Sequence, residues 1–167
     1  MCLYCNVTIT TLIRQLHLVD IENLLGDPRP KESAVLEFLK LYSGLVDISG
    51  PNQVVVACNH GAANAVGCCL GEGPRLLVRS GLNGADLALM GVLNDEGIEG
   101  RYSGLVLASG DGIFATRVAE ITSAGMPVTV VARRESLSAR LRLAATGVVF
   151  FEAPQPPAAP MEMAVAA

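Results

Sequence analysis

Residues 104–133 read GLVLASGDGIFATRVAEITSAGMPVTVVAR, and this stretch decides the fold. Two short apolar runs, at 104–109 and 127–133, have the length and character of buried strands. Between them, residues 112–125 follow a helical pattern that ends at Gly125, a residue suited to a left-handed helix C-cap. Strand, helix and buried strand together predict a parallel pair of strands joined by a crossover helix.

The same alternation extends in both directions along the chain. Further strands are predicted at 14–21, 53–59, 75–80 and 148–151, and further helices at 33–42, 60–71, 85–97 and 136–145. The pattern predicts an α/β fold whose mostly parallel sheet carries helices on both faces. In such sheets the ligand site lies beyond the carboxyl ends of the strands, so the residues that follow each strand are the functional candidates.

Composition and charge limit the possible functions. The chain has 167 residues, enough for one domain, with 51% hydrophobic and 17% charged residues, as in a folded globular protein. The net charge of -4 argues against a dedicated binder of double-stranded DNA. We find no apolar run long enough to cross a membrane. Residues 1–13 are predicted to be an N-terminal extension, and 153–167, rich in Pro and Ala, a disordered tail.

The cysteines indicate the compartment. There are five of them, an odd number without regular spacing, which predicts reduced thiols in a cytoplasmic protein. Cys2 and Cys5 form a C-x-x-C pair, but a zinc site would need two further ligands at matching spacing. The sequence before the first apolar stretch carries no basic residue and does not resemble a signal peptide.

Three aspartates follow or precede predicted elements at the same edge of the sheet. Asp20 ends the strand at 14–21, Asp86 opens the helix at 85–97, and Asp111 follows the strand at 104–109. Crowded carboxylates cost free energy unless a cation neutralises them, and oxygen donors of this kind suit Mg²⁺ or Mn²⁺. The sequence therefore predicts a divalent metal site at this edge.

Each aspartate also has a structural explanation. Asp86 could interact with a helix dipole, Asp111 could cap a helix, and Asp20 could start an Asx turn.

Glu22 is a further acid in the same stretch as Asp20, on the opposite face from Asn23 if the strand continues. His17 alternates with leucines inside a strand and is expected to be a packed strand residue.

Arginines cluster near the end of the strand at 127–133. The guanidinium group suits phosphate because its planar fork makes bidentate contacts, so this cluster is a candidate nucleic-acid surface. The alternative is a solvated helix face. The four residues are Arg133, Arg134, Arg140 and Arg142.

Taken together, these blocks resemble the NYN family of PIN-like nucleases. The residues that carry the resemblance are VDIENLLG (19–26), NGADLALMGVL (83–93), LVLASGDGIFATRVAEITSAGMPVTVVAR (105–133) and SLSARLRLAATGVVFF (136–151). The resemblance covers about residues 16–152. It implies a Rossmann-like three-layer α/β/α sandwich and an acidic site that binds divalent metal, and the active members are mostly ribonucleases.

By that resemblance the chain is expected to be a metal-dependent ribonuclease that hydrolyses RNA phosphodiester bonds. Asp20, Asp86 and Asp111 would hold Mg²⁺ or Mn²⁺ and act as the catalytic acids. Asn23 and Ser109 would orient ligands or phosphate, and Arg133 and Arg134 would contact the RNA backbone. The sequence departs from the family at Ile113, where many PIN-like nucleases carry a second aspartate.

Two other functions stay open. The chain could be a catalytically weak PIN-like module that binds RNA or a protein partner, including a second copy as a homodimer, and the residue at Ile113 favours this. A nucleotide-binding Rossmann domain would need a glycine-rich first turn. The turn VDIENLLG (19–26) carries an acid there, which would repel phosphate.

Overall fold

The computed structural model describes residues 14–152. Its six strands are β1 Gln15–Asp20, β2 Gln53–Cys58, β3 Arg75–Val78, β4 Gly104–Ala108, β5 Val128–Ala132 and β6 Gly147–Phe150. Its α-helices are α1 Ile21–Leu25, α2 Glu32–Leu45, α3 Ala63–Leu70, α4 Gly84–Asp95, α5 Ala115–Ser123 and α6 Ala139–Ala144. The extension at 1–13, with Cys2 and Cys5, and the tail at 153–167 lie outside the described residues.

The six strands form one parallel sheet in the order β3-β2-β1-β4-β5-β6. β1 lies at the centre, where Leu18 pairs with Val55 of β2 and with Leu107 of β4. The chain runs outward from β1 to β3 and then crosses back to β4 and runs outward the other way. This is the doubly wound arrangement, and it confirms the predicted parallel α/β sheet.

Two hydrophobic cores fill the spaces between the sheet and its helices. On one face α1, α2 and α3 pack on residues such as Val56, with Phe38 among the largest buried side chains. On the other face α4, α5 and α6 pack on residues such as Leu18, with Phe114 in the centre. Each such side chain contributes roughly 1.5–3 kcal/mol by leaving water. The chain therefore has a three-layer α/β Rossmann-like fold.

His17 is buried in β1, as expected of a packed strand residue. Its ring Nδ1 lies 3.0 Å from the hydroxyl of Tyr42 on α2. Burial lowers the pKa of His17 to about 4, although the nearby Asp47 partly opposes the shift. The imidazole is therefore neutral at pH 7 and belongs to the core.

Three local features differ from the sequence prediction. The strand expected at 14–21 ends at Asp20, and the short helix α1 follows at once. The helix expected over 60–71 starts at Ala63, and the one expected over 112–125 begins with a 3₁₀ turn, Gly112–Phe114.

In residues 14–152 no helix has both the length and the apolar character needed to cross a membrane.

Candidate functional site

The candidate site lies where β1 and β4 run side by side in the centre of the sheet. The connections from these two strands leave toward opposite faces, because α1 and α2 cover one face and α5 covers the other. This divergence opens a crevice beyond the carboxyl ends of the strands, the usual ligand position in doubly wound sheets. Asp20 ends β1, and Ser109 follows β4 directly.

Asp20 is held in this crevice by two hydrogen bonds. Its Oδ1 accepts from the backbone N–H of Asn23 at 3.2 Å, so the carboxylate also caps α1, and its Oδ2 accepts from the Ser109 hydroxyl at 3.4 Å. Aspartate is a favoured N-cap residue, which explains why the helix begins here. Gly26, in the left-handed conformation, ends α1 after five residues. Asp20 is only 4% exposed.

Asp86 lies in the first turn of α4 and is 8% exposed. Its Oδ1 is buried without a hydrogen-bond partner among residues 14–152. A carboxylate in the first helical turn interacts favourably with the helix dipole, so the structural explanation accounts for part of its position. It does not account for the unpartnered oxygen, because a buried acceptor without a partner is costly.

The two carboxyl groups strongly affect each other. Burial, and after it the charge of Asp86, raises the pKa of Asp20 far above its ordinary range. Burial also raises the pKa of Asp86, although a hydrogen bond with the Asp20 carboxyl group partly opposes this shift and the charge of Asp111 adds to it. Two buried carboxylates at close range are the arrangement that a bound cation relieves.

Asp111 has a different role in the geometry. Its Oδ1 accepts from the backbone N–H of Ile113 at 2.9 Å, so it caps the 3₁₀ turn before α5, as the structural explanation anticipated. The Ile113 side chain packs against the core on that face of the sheet. Asp111 therefore acts on Asp86 through its charge, while its own carboxylate is engaged with the backbone.

A cavity of about 380 Å³ lies next to the acid pair. Among the sequence candidates, Asp20, Asn23 and Asp86 line it, whereas Asp111, Ser109, Arg133 and Arg134 do not. The rest of its wall comes from α1 and the loop after it, from the residues that follow β2 and β3, and from the start of α4. These residues are Glu22, Pro28, Asn59, Arg79, Gly81, Asn83, Gly84 and Ala85.

Glu22 and Asn59 form one unit in this wall. The backbone N–H of Asn59 donates to Glu22 Oε1 at 2.5 Å. The Asn59 side chain donates to the Pro28 carbonyl at 2.9 Å and accepts from the backbone N–H groups of Gly61 and Ala62. Asn59 therefore ties the end of β2 to the α1–α2 loop and fixes Glu22 as a third acid of the cavity.

Ser109 and Asn23 connect the two halves of the crevice. Ser109 is fully buried, and its hydroxyl both donates to Asp20 and accepts from the Asp111 N–H at 3.3 Å. The Asn23 side-chain oxygen accepts from the Gly110 N–H at 3.0 Å. Both side chains thus orient the acids through protein contacts.

Arg133 and Arg134 lie outside the cavity. The Arg133 guanidinium packs over Gly26 and pairs with Glu135 at 3.3 Å, whereas the Arg134 guanidinium lies 4.1 Å from the centre of the Phe150 ring. Although β4 separates β5 from β1, the Arg133 side chain reaches back to the end of α1, so it contacts this turn without lining the cavity. Their contact with RNA stays a prediction.

The glycines beside Asp111 allow the loop before α6 to pack closely against the turn that carries Asp111. A side chain at Gly110 would collide with the carbonyl of Ser136, and one at Gly112 would stand 2.8 Å from the Ser138 hydroxyl oxygen. The backbone N–H of Ser138 also donates to the Gly110 carbonyl at 2.9 Å. The loop before α6 therefore closes over this turn.

The donor set fits a hard divalent cation held by few protein ligands. Within the described part of the chain, no three His, Cys, Asp or Glu side chains form a group able to hold a metal ion. Mg²⁺ commonly binds through one or two carboxylates and completes its shell with water and substrate phosphate. Asp20 and Asp86 supply such a pair. The buried Asp86 Oδ1 has no hydrogen-bond partner among the described residues and is therefore available as a ligand of the ion.

Comparison with known proteins supports the fold only. No family model matches the chain, and no curated protein is similar to it. A crystal structure of a protein of unknown function from Vibrio parahaemolyticus is similar, with a TM-score of 0.57 and 16% sequence identity. The similarity covers 83% of this chain and 93% of that one, so the two proteins share the Rossmann-like architecture along most of their length.

Proposed function

We propose that this protein is a metal-dependent ribonuclease that hydrolyses RNA phosphodiester bonds. The observation that carries the proposal is the buried pair Asp20 and Asp86, with an unpartnered carboxylate oxygen, beside a cavity beyond the carboxyl ends of β1, β2 and β3. A buried pair of carboxylates at this position requires compensation, and a divalent cation provides it. The resemblance to the NYN family points to the same chemistry.

Asp20 and Asp86 would hold Mg²⁺ or Mn²⁺, with Asp111 adding negative charge nearby. When bound, the ion would polarise the phosphate and supply a water of lowered pKa for attack on phosphorus. Ser109 fixes the Asp20 carboxylate, and Asn23 fixes the turn that carries Asp111. Glu22, anchored by Asn59, places a further acceptor in the cavity for the protons of a water molecule.

Cleavage of labelled RNA with Mn²⁺ or with EDTA tests this proposal. Wild type is expected to cleave only with Mn²⁺, and Asp86→Asn is expected to lose at least about a hundredfold in rate, as when a charge-stabilising group is removed. Glu120→Gln, at an exposed position on α5, makes the same charge change away from the site and should cleave like wild type. Cleavage that survives EDTA or Asp86→Asn would contradict the proposal.

A catalytically weak module that binds RNA or a protein partner, including a second copy of this chain, is the second candidate. The observation that favours it is the use of Asp111 as a cap, next to Ile113 packed in the core. Such a module would bind labelled RNA or a partner without producing fragments in Mn²⁺.

The proposed location is the cytoplasm. Within residues 14–152 the cysteines Cys58, Cys68 and Cys69 are free thiols. Proteins that keep adjacent thiols reduced are typical of a reducing compartment. RNA substrates are available there.

A further inference from the structure

Arg79 brings a positive charge to the acidic cavity. It follows β3 and lines the cavity together with Asp20, Glu22 and Asp86. Among residues 14–152 it forms no ion pair, which it shares with five other arginines, but it is the arginine of this part of the chain that lines the cavity. An exposed guanidinium that remains unpaired beside three acids is available for an anion, and its planar fork matches the oxygens of a phosphate.

Leu82 lies in the same loop and is 90% exposed. Single exposed apolar side chains are common on protein surfaces and need no explanation by themselves. This one stands between Gly81 and Asn83, both of which line the cavity, and three residues from Arg79. A charged donor and an apolar side chain therefore occur together at the cavity rim.

The backbone of this loop is held in a defined shape. Asn83 has φ +55°, the one positive φ of a non-glycine residue among those described, and Gly81 has φ +107°. The Gly84 N–H donates to the Gly81 carbonyl at 3.1 Å, and a side chain at Gly84 would collide with the Arg79 carbonyl. Strained conformations of this kind cost free energy and concentrate at ligand sites.

We propose that the β3–α4 loop, residues 79–83, binds a single strand of RNA, with Arg79 contacting a backbone phosphate and Leu82 packing against the neighbouring base. This inference rests on the proposed function, because it assumes that the cavity receives RNA. An acidic cavity repels phosphate, and a fixed cation at its rim offsets that repulsion. An unpaired base offers a flat apolar face that does not depend on sequence.

The loop also explains why a single strand is the expected substrate. In a duplex the bases are stacked and paired, so Leu82 could reach no base face. A single strand leaves successive bases free to turn toward an apolar side chain. The contribution of Leu82 should therefore vanish with duplex RNA, while that of Arg79 should persist, because both forms carry phosphates.

The test measures binding of a labelled single-stranded oligouridylate by fluorescence anisotropy, with EDTA and with Mn²⁺, alongside Mn²⁺-dependent cleavage. Arg79→Gln is expected to bind about tenfold more weakly. Its plot of log K against log salt should also lose about 0.7 of slope, the share of one phosphate contact to single-stranded nucleic acid. Arg79→Lys should keep the slope and lose only part of the affinity, because the charge stays and the fork is lost.

Leu82→Ala is expected to weaken single-strand binding about threefold to tenfold without changing the salt slope, and to leave duplex binding unchanged. Matched controls are Leu36→Ala, at a leucine 55% exposed on α2, and Arg101→Gln, which makes the same charge change before β4, at the amino ends of the strands. Both controls should bind and cleave like wild type.

The outcomes separate this inference from the proposed function. If wild type cleaves RNA with Mn²⁺ while Arg79→Gln and Leu82→Ala bind it like wild type, the loop assignment is overturned and the ribonuclease proposal stands. If wild type neither binds nor cleaves RNA, both are overturned. If Leu82→Ala weakens duplex and single-strand binding equally, the base contact is overturned. Thermal denaturation of each variant shows whether a loss of binding comes from unfolding. If Arg79→Gln does not fold, Arg79→Lys takes its place in the test.

Discussion

The side chain of Asn23 joins the two halves of the sheet, because its oxygen accepts a hydrogen bond from the Gly110 N–H at 3.0 Å across 87 positions of sequence. Asn23 lies on α1, three residues after Asp20, and Gly110 precedes Asp111. The bond therefore sets the distance between the acid that ends β1 and the acid that follows β4. It makes Asn23 a positioning residue for the proposed metal site.

Asn23→Ala should remove this link and weaken both folding and metal binding. Leaving the Gly110 N–H without its acceptor is expected to lower the free energy of unfolding by about 1–2 kcal/mol. Calorimetric titration should show Mn²⁺ binding several-fold more weakly, because the acids are less well positioned.

Asn52→Ala is the matched control. The Asn52 side-chain oxygen accepts a hydrogen bond from the Gln15 N–H at 2.8 Å. This bond is of the same type and lies at the start of β1, at the amino ends of the strands, away from the site. The substitution also removes the bond that the Asn52 amide donates to the Asp47 carbonyl at 3.0 Å, so it should lower stability by at least as much and leave Mn²⁺ affinity unchanged. Equal Mn²⁺ affinity for Asn23→Ala and wild type would show that Asn23 has only a structural role.

Asp86→Asn should stabilise the protein in EDTA and destabilise it relative to wild type in Mn²⁺. The amide keeps the shape of the side chain. Above the raised pKa of Asp20 both carboxyl groups of the wild type are charged, so removing one of them should raise apo stability by about 1 kcal/mol, or about 3 °C in Tm. With Mn²⁺, wild type gains stability by binding the ion, and the variant does not. Differential scanning calorimetry with and without Mn²⁺ measures both.

The raised pKa values of the two acids determine how the stability gained by Asp86→Asn should change with pH. The folded pKa values of Asp20 and Asp86 are raised above their unfolded values, so the stability that protonation provides is present at low pH and lost as pH rises through the raised values. The advantage of Asp86→Asn in EDTA should therefore be larger at pH 8 than at pH 5. Glu72→Gln, in an exposed turn, controls for net charge. A lower Tm for Asp86→Asn in EDTA would make Asp86 a structural helix residue.

Much of the fold could be predicted because its four central strands are buried on both faces. Runs such as 54–58 and 105–108 are continuously apolar, and helical patterns separate the strands along the chain. The helix α1 was not predicted, since five residues are too few to show a period. Its start depends on the hydrogen bond from the Asn23 N–H to Asp20, which composition does not reveal.

The site could be predicted in part. The rule that sites follow strand ends points to Asp20, Asp86 and Asp111. Asp20 and Asp86 line the cavity, and Asp111 does not. The rule does not tell which strand ends are neighbours in space, because their positions depend on the order of the strands in the sheet. The order β3-β2-β1-β4 brings Arg79 and Asn59 to the cavity, whereas Arg133 follows β5 and contacts the end of α1 outside the cavity wall. The sequence carries a signal for Arg79, since it lies at the end of the strand predicted over 75–80.

Ile113→Asp should destabilise the protein without increasing cleavage. The side chain packs against the core of α4 and α5, and position 113 is not in the cavity wall. Placing a carboxylate there is expected to cost about 1–3 kcal/mol. Ile113→Val, which keeps the apolar contact, should cost only about 0.5–1.5 kcal/mol. Urea denaturation and the Mn²⁺-dependent cleavage rate check this pair, and faster cleavage by Ile113→Asp would show that a second acid can reach the metal.

His17 should make the protein less stable as the pH falls from about 6.5 to about 4. Burial lowers its pKa from 6.5 in the unfolded chain to about 4 in the fold, so the unfolded state binds the extra proton throughout that range. The stability present at pH 7 is lost as pH falls, by about 3 kcal/mol in total. His17→Gln cannot titrate there and can still hydrogen-bond to the Tyr42 hydroxyl. Urea denaturation at several pH values should give a wild-type curve that falls more steeply than the variant's between pH 6.5 and 4. Parallel curves would mean that the imidazole takes up its proton inside the folded core, with its charge compensated by Asp47.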